Sequence, residues 1–253
     1  MDVFFAGQVR RVRTGREGEF AASFTAHRDL PFALGLQPVR VQATGTEVRG
    51  QVDVVSDEAP FMVVSDFDDT VAITNVQSTR DTLHTAFLED SDSHPVVDGM
   101  AAFFRCLRDV ADPPPGFAFV TGSPVEFGPR VESFLVHNGF PFAGLHLRQL
   151  GRKTISGYKE PVLRSLLSRF PQPFVLVGDS GEKDPEVYAR IREEFPGRVA
   201  AIFIHDVGRA ADPARFKGMV VFRTGTDAAR QAAALGLLRA SCLEPDEATP
   251  GGR

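Results

Sequence analysis

From Phe61 onward the chain alternates between two hydrophobic rhythms. FMVVSD, FAFVTG, FVLVGD and AAIFIHD are compact apolar runs, rich in β-branched and aromatic residues and bounded by Gly, Asp or Thr. Such runs suit strands buried on both faces. Between them lie DTLHTAFLED, GMAAFFRCLRDV, PRVESFLVHNG, EPVLRSLLSRF and DPEVYARIREEF, with apolar residues three and four apart. That spacing puts one apolar stripe on each helix. Strand–helix alternation predicts an α/β domain, a three-layer α/β/α arrangement around a parallel sheet, over residues 59–243. MVVFR is expected to add an edge strand, and the Ala-rich stretch 227–240 a last helix.

Before Phe61 the pattern differs. VFFAGQVRRVR, EFAASFTA, PVRVQATG and EVRGQVDVVS read as strands, with TGREGE and TGTE as turns between them. Residues 1–58 are therefore expected to form a small antiparallel β domain, short of a large core of its own. The tail EPDEATPGGR, 244–253, reads as disordered.

Composition narrows the class. The 253 residues carry a net charge of -5 and no basic block, so no nucleic-acid footprint is present. No apolar run reaches the length of a signal peptide or a membrane span, which leaves only peripheral contact with a membrane. Cys106 and Cys242 lie far apart without metal-ligand spacing. They are expected to be reduced thiols of a cytoplasmic protein. Nothing in the sequence sets an oligomeric state.

The chemistry is expected where strands end, because an open parallel sheet binds ligands at the carboxyl ends of its strands. After FMVVS stands Asp66-Phe67-Asp68-Asp69-Thr70. After FAFV stands Thr121-Gly122-Ser123, and FVLVG leads into Asp179-Ser180-Gly181-Glu182-Lys183-Asp184. Lys159 opens the helix that leads into that last strand. A carboxylate can attack a phosphoryl group and become an aspartyl-phosphate. Both partners are negative, and two unit charges about 4 Å apart repel by roughly 4 kcal/mol at an effective dielectric near 20. A divalent cation removes that barrier, and Mg²⁺ suits a few carboxylates plus water. Asp66 and Asp179 would supply carboxylates for it. Asp68 lies two residues from Asp66, on the same side of an extended chain, where it can protonate the leaving oxygen and then activate water. Thr121 can hold a phosphate oxygen, and Lys159 can offset its charge.

Each residue also has a plainer reading. Asp69 fits a local cap, Ser123 an N-cap after the second strand, and Asp184 a cap before Pro185. Lys159 competes with Lys153 for the phosphate role; it is the better placed, at the start of the helix. The phenylalanines near Phe103-Phe104 and Phe140-Phe142 fit a core or a surface for a lipid chain.

Taken together, Asp66-x-Asp68-x-Thr70, Thr121, Lys159 and Gly178-Asp179 with Asp184 resemble the four motifs of haloacid dehalogenase-like phosphatases. The resemblance implies Asp66 as nucleophile and Asp68 as acid/base. It also implies Thr70, Thr121, Gly122, Ser123 and Lys159 on the phosphate side, and Mg²⁺ held or oriented by Asp66, Asp68, Asp179 and Asp184. VVSDFDDTVAIT, FVTGSPVEFGP and VLVGDSGEKDPEVYARIREEFPGRV are similar, more narrowly, to the catalytic domain of the actin-patch type phosphatidate phosphatases. That likeness implies release of phosphate from phosphatidate, a phosphorylated lipid at a membrane surface. Val125 and Tyr158 depart from that family, which often has an aromatic and a His there, and both bear on substrate. The segments 71–120 and 122–158 leave no room for a large cap, which suits a bulky substrate. The rival readings are a phosphatase for soluble phosphomonoesters or phosphoproteins, and a module that binds phosphate without turnover.

Overall fold

In a computed structural model of the protein, the described residues are 1–15, 18–73, 95–148, 155–208 and 212–243. They divide into two units, Met1–Ser56 and Asp57–Arg253.

The first unit is an antiparallel sheet of four strands, β1 (Asp2–Phe5), β2 (Gln8–Arg11), β3 (Gly35–Ala43) and β4 (Thr46–Val54), in the order β2-β1-β3-β4. VFFAGQVRRVR is a hairpin rather than one strand. Ala6 and Gly7 both take positive φ, 46° and 74°, which gives a two-residue turn whose twist matches the strands. Val3 and Phe5 face Val41 and Val39 across the β1–β3 ladder and are buried. EFAASFTA does not form the expected strand. Its Phe24 ring packs 5.5 Å from that of Phe5, and side chains of Gln8 and Arg10 donate to the carbonyls of Thr25 and Ser23. Those contacts satisfy the segment without a ladder.

The second unit holds a parallel sheet of six strands: β5 (Met62–Ser65), β6 (Gly116–Pro124), β7 (Gly144–Arg148), β8 (Phe174–Asp179), β9 (Val199–His205) and β10 (Val220–Phe222). Their order is β10-β9-β8-β5-β6-β7, and MVVFR supplies the edge as the sequence indicated. The described helices are α1 (Met100–Arg108), α2 (Gly128–His137), α3 (Ile155–Arg169), α4 (Asp184–Glu194) and α5 (Gly225–Ala234). On one face of the sheet, Val63, Val175, Val177 and Phe203 share a core with Met100, Phe103 and Phe104 of α1. Strand alternation sends Met62, Val64, Leu176 and Ile202 to the other face. The helices pair to match, α1 with α5 and α3 with α4, so the domain is the expected three-layer α/β/α sandwich.

Phe104 stacks between Phe117, Phe119 and Phe140 at centroid distances of 5.4–5.9 Å. Phe103, Phe104 and Phe140 are therefore core residues and not a surface for a lipid chain. The predicted last helix is shorter than expected, ending at Ala234, and a 3-10 turn follows at Ala240–Leu243. That turn brings Cys242 to α1, where it forms a disulfide with Cys106, Cα–Cα 5.8 Å. The expectation of two reduced thiols is thus corrected, because 136 residues of sequence separation hide a spatial neighbourhood. The helix expected at 81–90, Lys153 and the tail 244–253 lie outside the described residues. Among the described residues, no helix is long and apolar enough to cross a membrane.

Candidate active site

β5 lies at the centre of the sheet, between β6 and β8, and its end fixes the site. Ser65 is in register with Phe119 and with Val177, and the Asp66 N–H donates to the Val177 carbonyl at 2.9 Å. Phe67 is fully buried against Phe119 and Phe134. With Phe67 turned into the core, Asp66 and Asp68 on either side of it turn away from the core. The chain then folds back on itself. Val71 N–H bonds to the Phe67 carbonyl, and Asp69 takes a left-handed φ of 52°. The Asp69 carbonyl lies 2.6 Å from Nδ1 of His205 at the end of β9. A carbonyl only accepts, so that nitrogen carries the proton.

Asp66 is 1% exposed and Lys159 is 2% exposed. Lys159 Nζ lies 3.0 Å from Asp66 Oδ2, 2.6 Å from Asp184 Oδ1 and 3.3 Å from Glu182 Oε2. α3 starts at Ile155, so Lys159 sits one turn inside the helix rather than opening it. Asp68 is held by two hydroxyls. Thr121 Oγ1 and Ser123 Oγ donate to its Oδ2 at 3.0 and 2.9 Å, and Ser123 N–H donates back to Thr121 Oγ1. Strand β6 runs on through Thr121, Gly122 and Ser123 to Pro124, which pairs with Arg148 beyond a register shift. Ser123 is therefore a strand residue and caps no helix. Thr70 is fully buried, with no hydrogen-bond partner for its hydroxyl.

Asp179 ends β8. Its Oδ1 accepts the Gly181 and Glu182 N–H groups at 2.6 and 3.0 Å. Asp184 Oδ2 accepts the Asp179 N–H at 3.3 Å. Asp184 is the first residue of α4 and makes no side-chain cap. Gly178 is required by this crowding, since a Cβ there would stand 2.4 Å from Asp184 Oδ2.

Burial and like charge act strongly on these acids. Burial first, then the neighbouring Asp184, Glu182 and Asp179, hold the Asp66 carboxyl well above the usual range, with Lys159 opposing. Burial raises Asp68 to about 6, although its bonds from Ser123 and Thr121 pull the other way. Burial, with Asp184 and Glu182, raises Asp179 to about 8. For Lys159, burial works against the charge, but Asp184, Asp66 and Glu182 outweigh it and hold the ammonium charged.

These observations test whether a divalent cation fits. Among the described residues, Asp66, Glu182 and Asp184 bring carboxylate oxygens within 4.8 Å of one another. Lys159 contacts all three of those side chains, so one ammonium offsets part of their charge. Asp66 Oδ1, Asp68 Oδ1 and Asp179 Oδ2 are each buried without a hydrogen-bond partner among the described residues. Buried carboxylate oxygens without partners are costly, and hard oxygen donors of this kind suit a divalent cation. The donor chemistry present fits such an ion. Asp184 meets Lys159 through Oδ1 and accepts the Asp179 N–H through Oδ2.

The structure brings Asp66, Asp68, Thr121, Ser123, Lys159, Asp179 and Asp184 to one rim of the sheet. Sequence reasoning passed over Glu182, whose place in the acidic run two residues before Asp184 was the available signal.

A family model, the catalytic domain of phosphatidate phosphatase APP1, matches residues 61–206. The chain is 30% identical over 185 residues to phosphatidate phosphatase APP1 of Saccharomyces cerevisiae, covering 66% of this chain and 31% of that one. It is 27% identical over 162 residues to an uncharacterized protein of Schizosaccharomyces pombe, covering 60% of this chain and 26% of that one. The chain thus spans about a third or less of the length of these relatives. Among solved structures it is similar to a protein described as a haloacid dehalogenase-like hydrolase from Burkholderia xenovorans LB400, with a TM-score of 0.45, 13% identity, and 70% of this chain and 98% of that one covered. It is also similar to a chain of the Pnkp1/Rnl/Hen1 complex, with a TM-score of 0.42, 15% identity, and 60% of this chain and 48% of that one covered. With residues 61–206, more than half of its length, matched by that family model, the chain belongs to the family of phosphatidate phosphatase APP1 catalytic domains.

Proposed function

We propose that this chain is a Mg²⁺-dependent phosphatase that works through an aspartyl-phosphate on Asp66, with phosphatidate as its favoured substrate. The observation that carries the reading is the pairing of two buried carboxyls with different surroundings. Asp66 faces the Lys159 ammonium, with Oδ1 unpartnered, while Asp68 is held by Thr121 and Ser123. Two carboxyls in unlike environments divide the roles of nucleophile and acid.

Asp66 attacks the phosphorus, and the bond to the leaving oxygen breaks as Asp68 gives that oxygen its proton. Lys159 offsets the charge on the phosphoryl oxygens, the Gly122 backbone N–H and the Thr70 hydroxyl supply hydrogen bonds around the group, and the Thr121 and Ser123 hydroxyls beside it hold Asp68 in place. The departed alcohol leaves the phosphoryl group on Asp66 and Asp68 as a carboxylate. Asp68 then takes a proton from water, whose oxygen attacks the phosphorus, releasing phosphate and restoring Asp66. Asp66 and Asp179 would supply the carboxylates that hold Mg²⁺, Asp68 would keep an oxygen for its proton, and Asp184 would keep Lys159 and the loop in place. Bound there, Mg²⁺ supplies positive charge that offsets the repulsion between Asp66 and the phosphate and polarises the phosphoryl oxygens.

The family and the name of the yeast relative support phosphatidate as the substrate. Peripheral contact with a membrane surface follows from that choice. The test is phosphate release from an aryl phosphate, a panel of soluble phosphomonoesters and phosphatidate in mixed micelles, each with and without Mg²⁺. Mg²⁺-dependent release that is fastest on phosphatidate supports the whole reading. A faster soluble substrate overturns the lipid choice alone, and no release from any of them overturns the enzyme reading in favour of phosphate binding without turnover.

A further inference from the structure

The loop from Asp179 to Asp184 is gripped from outside by a residue the mechanism does not use. Arg215 stands in a 3-10 turn, Pro213–Phe216, between β9 and β10. Its Nη1 donates to the Ser180 carbonyl at 3.0 Å and its Nη2 to the Glu182 carbonyl at 2.8 Å. The same guanidinium forks onto the Glu186 carboxylate of α4, through Nε to Oε1 and Nη2 to Oε2. One planar group thus ties two loop carbonyls to the helix that follows the loop.

The Ser180–Gly181 peptide is the informative part. Its carbonyl points to Arg215, and its N–H, that of Gly181, donates 2.6 Å to Asp179 Oδ1. A peptide unit is planar, with C=O and N–H opposed, so fixing one end aims the other. Hydrogen bonding to a cation at the carbonyl also polarises the peptide and strengthens what its N–H donates. Asp179 is consequently held with one oxygen on the loop and the other, Oδ2, buried and unpartnered.

We infer that Arg215 is a positioning residue: by holding the Ser180–Gly181 peptide plane it sets the Asp179 carboxylate with Oδ2 turned to a divalent cation. The inference rests on the cation site proposed above. Outer partners of metal ligands typically shift metal affinity by about 10- to 100-fold when removed. Lysine cannot replace a fork that spans three acceptors.

The experiment measures Mg²⁺ binding to the substrate-free protein by calorimetry, and amide exchange at Gly181 and Glu182, for the wild type, Arg215→Ala, Arg215→Lys and Glu186→Gln. Arg192→Ala is the control, because Arg192 makes a similar stitch to the Lys217 and Gly218 carbonyls and none of these contacts to the loop. Both Arg215 variants are expected to bind Mg²⁺ about 10-fold or more weakly and to exchange Gly181 faster, with Glu186→Gln intermediate and Arg192→Ala unchanged in both. Folded Arg215 variants with wild-type affinity and wild-type Gly181 exchange overturn the inference, as does an equal loss of affinity in Arg192→Ala. Should Arg215→Ala not fold, Arg215→Lys and Glu186→Gln carry the same test. Should the wild type bind no Mg²⁺, the cation site itself fails, and the inference fails with it whatever the exchange data show. Neither measurement requires turnover, so absence of phosphatase activity leaves both readouts intact.

Discussion

Lys159 Nζ and Asp184 Oδ1 meet at 2.6 Å, each at a side chain no more than 2% exposed. The pair has a third member in Asp66, 3.0 Å from the same ammonium. Removing the cation would leave two buried carboxylates uncompensated. Lys159→Met is therefore expected to cost ~3–5 kcal/mol of stability near neutral pH. The cost should shrink toward pH 5, because Asp66, whose carboxyl burial pushes up, takes a proton there and no longer needs a partner. Urea unfolding at the two pH values checks this, and an equal loss at both counts against a charge origin.

Asp66→Asn keeps the volume of the side chain and removes the proposed nucleophile. Turnover is expected to fall by roughly 10⁴-fold or more. The fold should persist, since the change deletes a buried charge that desolvation disfavours. Phosphate release and circular dichroism on the same sample decide it, and full activity in a folded variant sinks the mechanism.

Burial raises the Asp68 carboxyl from 3.8 to about 6. As the proposed acid of the first step it must be protonated, so kcat/KM should fall as pH rises through that value. Ser123 and Thr121 act to lower it. Ser123→Ala should therefore move the falling limb to higher pH while reducing the rate. The sign for stability follows from the same shift. Between about pH 4 and 6 the folded chain holds a proton the unfolded chain has released, so this group's contribution to stability declines across that window as pH rises. A limb that moves to lower pH in Ser123→Ala would remove Asp68 as the titrating acid.

Asp179, raised to about 8 by burial and its acidic neighbours, holds a proton in the absence of a cation. Mg²⁺ must displace it, so binding should release protons and tighten between pH 6 and pH 8 by up to about tenfold per unit. Calorimetry in two buffers of different ionisation enthalpy reads the proton directly. Asp179→Ala should bind Mg²⁺ weakly and lose the pH dependence together.

Strand-end chemistry was legible where the relevant neighbours are close in sequence. Asp66 and Asp68 follow a buried strand by one and three residues, and strand period alone places them on one side. Glu182 and Arg215 were not legible in the same way, since their roles depend on contacts with Lys159, 23 residues away, and with the Ser180 carbonyl, 35 residues away. Cys106 and Cys242 failed for the same reason. EFAASFTA failed for another: its alternation is that of a strand, but side chains of Gln8 and Arg10 took the carbonyls that a ladder would have used. The helix α3 was expected to open at Lys159, whereas it starts at Ile155 and carries Pro161 inside.

The central place of β5 has a consequence for how the protein comes into being. Its neighbours in the sheet, β6 and β8, begin at residues 116 and 174, so neither edge of β5 can be paired until long stretches of later chain are available. Pairings of such high contact order close slowly and late in folding. During synthesis the strand that carries Asp66 waits, apolar and two-edged, for more than a hundred residues to follow it. A chain halted before β8 leaves one edge of that strand bare and lacks Asp179 and Asp184 as well.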